Sequence, residues 1–107
     1  MPWIGVDLDG TLAESGERGS STIGPPISKM VTRVKAWLLI GKDVRILTAR
    51  AYPPGAKSAK EVSRVEAWCE IYLGTKLPVT CMKDYEMETL YDDRAVQVVH
   101  NTGEIVE

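Results

Sequence analysis

The stretch Trp3-Ile4-Gly5-Val6-Asp7-Leu8-Asp9-Gly10-Thr11 decides how the chain is read. Apolar residues dominate Trp3 to Leu8 and then break off at an acid and a glycine, the pattern of a short buried strand ending in a turn. Asp7 and Asp9 are thereby delivered to the carboxyl end of the strand. Being two apart, they project to the same side before Gly10-Thr11 turns the chain away. Carboxylates this close repel, and a divalent cation, a shared proton or a phosphate-bound electrophile resolves the repulsion.

Outward from this strand, the Gly/Pro-rich polar run over 13–26 reads as a surface loop. Ile27, Met30, Val31, Val34, Trp37 and Leu38 then recur at helical spacing from a start near Ser28, and Gly41 is placed to stop the helix. A second strand, Val44 to Leu47, breaks into a loop over 48–58, where Pro53-Pro54-Gly55 forbids regular structure. A second helix follows over about Ala59 to Leu73, with Val62, Val65, Trp68, Cys69 and Tyr72 on one face and Gly74 at its end. Short strands are expected at Val79 to Cys81 and Thr89 to Tyr91, and the β-branched run Val96 to Val99 reads as a further one. This alternation predicts an α/β fold: a three-layer, Rossmann-like, mostly parallel sheet flanked by helices. In such sheets ligands bind beyond the carboxyl ends of the strands.

A chain of 107 residues with 44% hydrophobic content builds one domain with one core and no separate lid, so a site should lie open. No apolar run approaches the ~20 residues of a membrane span, and the amino end lacks the basic start and cleavage site of a secretory signal, so a cytoplasmic protein without a membrane partner is expected. Cys69 and Cys81 have no CxxC spacing and stand beside a lone His100, which argues for reduced thiols and against zinc. The net charge of −2 argues against broad electrostatic capture of nucleic acid and leaves a small substrate or a specific polymer end.

Four expected strand ends carry polar groups: Asp7 with Asp9, Thr48, Lys83 just beyond Cys81, and Asp92 with Asp93. A carboxylate from the late pair beside the early one makes a hard-cation site, and magnesium suits a sparse set of oxygen ligands without histidine or thiolate. Arg50, Lys57 and Lys60 sit in or beside the loop after Thr48, as ordinary solvated charges or as contacts for an anionic substrate. Trp37, Trp68 and the aliphatic stripes belong to the core.

Asp7-Leu8-Asp9-Gly10-Thr11, then Thr48, Lys83 and Asp92-Asp93, in this order and over nearly the whole chain, resemble the four motifs of the haloacid dehalogenase-like superfamily. The resemblance implies a minimal core without a cap domain, since the segments before Ser28 and before Ala59 are too short to hold one. It implies a magnesium-dependent phosphomonoester phosphatase in which Asp7 is the nucleophile and forms an aspartyl phosphate. Asp9 would be general acid and base, and a carboxyl at that place fits a phosphatase or phosphomutase branch. Thr48 and the backbone N–H of Ala49 would bind the phosphoryl oxygens, with Lys83, or failing it Lys76, offsetting their charge. The metal would be held by Asp7, the Asp9 carbonyl and Asp92, with Asp93 as a supporting or alternative ligand. Arg50 would contact the substrate. The expected partner is a phosphorylated small molecule or polymer end, with a second copy of the chain as a candidate lid. Two alternatives stand beside this reading: a nucleotide or polynucleotide-end phosphatase, and a receiver-like or inactive protein that binds phosphate or metal. In receivers the acidic pair lies on the first strand and the accepting Asp on a later one, an order this chain reverses.

Overall fold

The structure, a computed structural model, describes residues 1–16 and 21–107. Positions 17–20 of the loop expected over 13–26 lie outside the described residues. The elements run β1 (Trp3–Val6), α1 (Ser28–Leu39), β2 (Val44–Leu47), 3-10 turns at Ala49–Ala51 and Ala56–Ser58, α2 (Ala59–Leu73), β3 (Val79–Thr80) and β4 (Met87–Tyr91). The four strands form one sheet in the order β3-β2-β1-β4, and every pairing is parallel.

Each boundary has a local cause. α1 follows Pro25-Pro26, whose rings restrict the chain to extended entry, and closes through the N–H groups of Gly41 and Lys42 on the carbonyls of Leu38 and Trp37. Gly41 takes φ +81, and Gly74 ends α2 in the same way at φ +83 with its N–H on the Glu70 carbonyl. A left-handed residue is needed at both places, which favours glycine.

The core lies between one sheet face and both helices. Ile4 and Val6 of β1 and Val44 and Ile46 of β2 share a face and pack with Met30 and Val34 of α1 and with Val65, Trp68, Cys69 and Leu73 of α2. Because β1, β2 and β3 step in one direction across the sheet, right-handed crossovers put both helices on the same side. The expected third layer is therefore corrected to two among the described residues. On the opposite face, side chains cover Trp3. There the Arg45 guanidinium lies 4.7 Å from the centre of the Trp3 ring, and the Trp3 indole N–H donates to Asp84 at 2.8 Å. Gly5 makes this closure possible, since a Cβ there would meet Met87 Sδ at 3.1 Å and Leu90 Cδ1 at 3.2 Å.

The strand expected at Val96 to Val99 does not join the sheet. Val98 instead bridges Ile105 in a small antiparallel hairpin, with Val96, Val98, Ile105 and Val106 exposed. A β-branched run has strand propensity anywhere, and here its pairing partner is the next few residues rather than a sheet edge. No helix among the described residues is long and apolar enough to cross a membrane.

Candidate active site at the carboxyl ends of the strands

β1 lies between β2 and β4, so its carboxyl end has a neighbour on each side. The Asp7 N–H continues the ladder onto the Tyr91 carbonyl at 2.9 Å, which brings Asp7 beside Asp92 and Asp93 at the end of β4. The chain then turns tightly: the N–H groups of Thr11, Leu12 and Ala13 all point to the Leu8 carbonyl, while Leu8, Leu12 and Ala13 are fully buried and anchor the turn. Gly10 adopts φ +90, and a Cβ there would lie 2.5 Å from Asp93 Oδ2. Glycine is thus required by the turn and by the approach of the acid.

Asp7, Asp92 and Asp93 each offer a carboxylate oxygen, all within 4.8 Å of one another. The Thr11 hydroxyl ties the group together. It lies 3.0 Å from Asp93 Oδ1 and 3.4 Å from Asp7 Oδ2, and accepts the Asp93 N–H at 2.9 Å. Burial, a hydrogen bond with Asp93 and the charges of Asp92 and Asp93 push the Asp7 carboxyl up to about 7. Asp93 moves the other way: burial raises it, but the Asp7 carboxyl and Thr11 hydroxyl together hold it below the ordinary carboxylate range. A proton on Asp7, bonded to an ionised Asp93, relieves the repulsion when no cation does. The same donor set fits a hard cation: three oxygen ligands on the open rim of a sheet leave room for water and a substrate oxygen, as magnesium requires.

Asp9 faces the other way. Both its oxygens are taken by Arg50, whose Nε donates to Oδ2 at 2.8 Å and Nη2 to Oδ1 at 2.9 Å. Asp9 is therefore not among the acids that converge with Asp92 and Asp93 through their side chains. Arg50 also donates to Glu61 Oε1 at 3.0 Å and to the carbonyls of Ser21 and Thr22. Its guanidinium pKa is raised, first by the hydrogen bonds to Asp9.

Thr48, buried at the end of β2, accepts the Arg50 N–H on its hydroxyl at 3.2 Å and so caps the 3-10 turn that Ala49 opens; Ala49 is exposed. Lys83 follows the edge strand β3, from which β2 separates β1. It is exposed and forms no hydrogen bond or ion pair among the described residues, so the structure does not join it to the acids. Lys76 precedes β3 and stands at the amino ends of the strands, away from the site. Lys57 and Lys60 are exposed. Cys69 is buried, and burial pushes its thiol up to about 11, which makes it a packing residue. Cys81 lines a cleft of about 480 Å³ with Ala51, Val62 and Met82 beside the mouth.

Sequence reasoning missed Thr11 as the link between Asp7 and Asp93, and Glu61 as the second anion on Arg50. A hydroxyl two positions after Asp9 was visible in the sequence; the signal for Glu61 was its place in the first turn of α2, close to the loop that carries Arg50. Comparison of the chain with protein-family models, with curated proteins and with solved structures finds no match in any of the three.

Proposed function

We propose that this chain is a magnesium-dependent phosphomonoester phosphatase of haloacid dehalogenase-like type, without a cap. The observation that carries the reading is the convergence of Asp7 with Asp92 and Asp93, each with an oxygen within 4.8 Å of the others, at the carboxyl ends of adjacent parallel strands. That is the place where such sheets bind ligands, and the acids arrive there in the chain order of the superfamily's motifs.

Asp7, Asp92 and Asp93 would hold magnesium, which when bound neutralises carboxylate and phosphoryl charge. Asp7 attacks phosphorus through a carboxylate oxygen as the bond to the leaving oxygen breaks. Asp9, once off Arg50 and protonated from solvent, gives that proton to the departing alkoxide, then takes one from the water that displaces phosphate from the acyl phosphate. Thr48 can donate its hydroxyl proton to a phosphoryl oxygen while still accepting from Arg50, since the two use different parts of the group. The route is open to bulky phosphoesters, because no cap covers the strand ends among the described residues.

Purified protein should hydrolyse p-nitrophenyl phosphate with magnesium and lose that activity in EDTA. Failure to release phosphate from this ester and from a panel of sugar phosphates, nucleotides and phosphorylated oligonucleotide ends would defeat the proposal, and their ranking by kcat/KM would name the leaving group.

A further inference from the structure

Arg50 has five N–H donors, and five acceptors surround it: two oxygens of Asp9, one of Glu61, and the carbonyls of Ser21 and Thr22. Its side chain is only 13% exposed. The substrate contact expected of it is thus closed in this arrangement. No donor is spare. A phosphoryl group reaches the guanidinium only by displacing a partner.

The partners are not equivalent. Nη1, together with one N–H of Nη2, is held by Glu61 and two backbone carbonyls, groups that belong to α2 and to the loop ahead of α1. Asp9 alone takes the parallel Nε/Nη2 edge, with both oxygens at 2.8 and 2.9 Å. That edge is the one that binds carboxylate and phosphate in the same two-pronged manner. Asp9 is also the group that must be released, since a carboxylate with both oxygens on a guanidinium is not placed to serve a leaving oxygen.

We propose that Arg50 is an exchangeable clamp: at rest it holds Asp9, and on binding its Nε/Nη2 edge passes to the substrate's phosphoryl oxygens and frees Asp9 for the leaving group. Glu61 and the carbonyls of Ser21 and Thr22 keep the guanidinium in place through the exchange. Arg50 then binds the substrate and ties release of the acid to a phosphoryl dianion, so that a neutral ligand of the same shape leaves Asp9 held. This inference rests on the phosphatase reading and specifies the regulation of its site.

The test uses inorganic phosphate with magnesium on the whole chain. In proton–nitrogen spectra the Arg50 Nε–H signal should move together with the amides of Asp7 to Thr11 and of Asp93. By calorimetry, Asp9→Asn should bind phosphate about tenfold more tightly than the unaltered chain, because the competitor is gone. The gain should vanish when the same change is made on an Arg50→Gln background. Arg50→Gln alone should raise KM for p-nitrophenyl phosphate more than it lowers kcat. If the Asp7 to Thr11 amides move while the Arg50 signal stays, or if Asp9→Asn gains as much on the Arg50→Gln background, the clamp is overturned and the phosphatase reading stands. If phosphate moves none of these signals, both fall. Should Arg50→Gln fail to fold, the spectra of the unaltered chain decide.

Discussion

Asp7 shares its surroundings with Asp92, Asp93 and one bridging hydroxyl, whereas Asp9, two residues on, gives both oxygens to a guanidinium. The sheet order explains the contrast. β4 flanks β1 on one side, and the chain leaving it brings Asp92 and Asp93 to the site with the exposed Arg94 next in sequence; β2 flanks it on the other, and the chain leaving β2 contributes Arg50. One short motif is split between a region where three acids outnumber the one arginine that acts on them and a region where a guanidinium already holds the carboxylate. The first calls for a cation from outside the chain, and the second calls for an anion able to compete.

The largest expected effect comes from removing the acid in the unpaired region. Asp7→Asn should lower turnover of p-nitrophenyl phosphate by about ten-thousand-fold or more, as loss of a nucleophile does; activity near the original level would remove Asp7 from its role. Asp9→Asn should cost about a hundredfold on an alkyl phosphate and much less on p-nitrophenyl phosphate, whose leaving group departs without a proton. Equal losses on both esters would mean that the two acids are not divided by task.

Gly10→Ala attacks the boundary between the regions. A methyl at φ +90, 2.5 Å from Asp93 Oδ2, should destabilise the fold by about 1–3 kcal/mol in urea unfolding and weaken magnesium binding with it. Unchanged stability would show that Asp93 need not approach so closely.

The smallest effect is a pH slope. Asp7 titrates at about 7 in the folded chain against an ordinary 3.8, so the fold holds that proton more tightly than the unfolded chain does. In cation-free buffer its contribution to stability is full below 3.8 and is lost as pH rises through 7. Asp93, held low, acts in the opposite sense and only below the ordinary carboxylate range, outside that window. Between pH 5 and 8 in EDTA the Tm should therefore fall, and Asp7→Asn or added magnesium should flatten the slope. A flat profile in the unaltered chain would mean that burial and the neighbouring acids do not raise Asp7 in this way.

Much of this arrangement was legible before any coordinates. The break at Asp9-Gly10 and the Gly41 and Gly74 stops each rest on a local rule, and those rules held; on α2, Val65, Trp68 and Cys69 are buried as expected, but Tyr72 is exposed and Leu73 takes its place in the core. What escaped the sequence depends on neighbours. Whether helices lie on one side or both follows from strand order, and no residue of β4 declares that it will pair beyond β1 rather than beyond β3. Val96 to Val99 carries strand propensity but not the identity of its partner. Arg50 stands 41 positions from Asp9 and 11 from Glu61, distances across which a sequence pattern has no reach.

On the side of the sheet without helices, Trp3 is only 1% exposed, yet its cover is an arginine paired with Asp43 at 2.9 Å and drawn toward Asp84 at 3.9 Å. Ion pairs at a rim weaken as dissolved ions accumulate, whereas the aliphatic packing under α1 and α2 does not. The molecule thus has a greasy front and a saline-sensitive back, and brine should loosen the indole's roof well before it disturbs the helices.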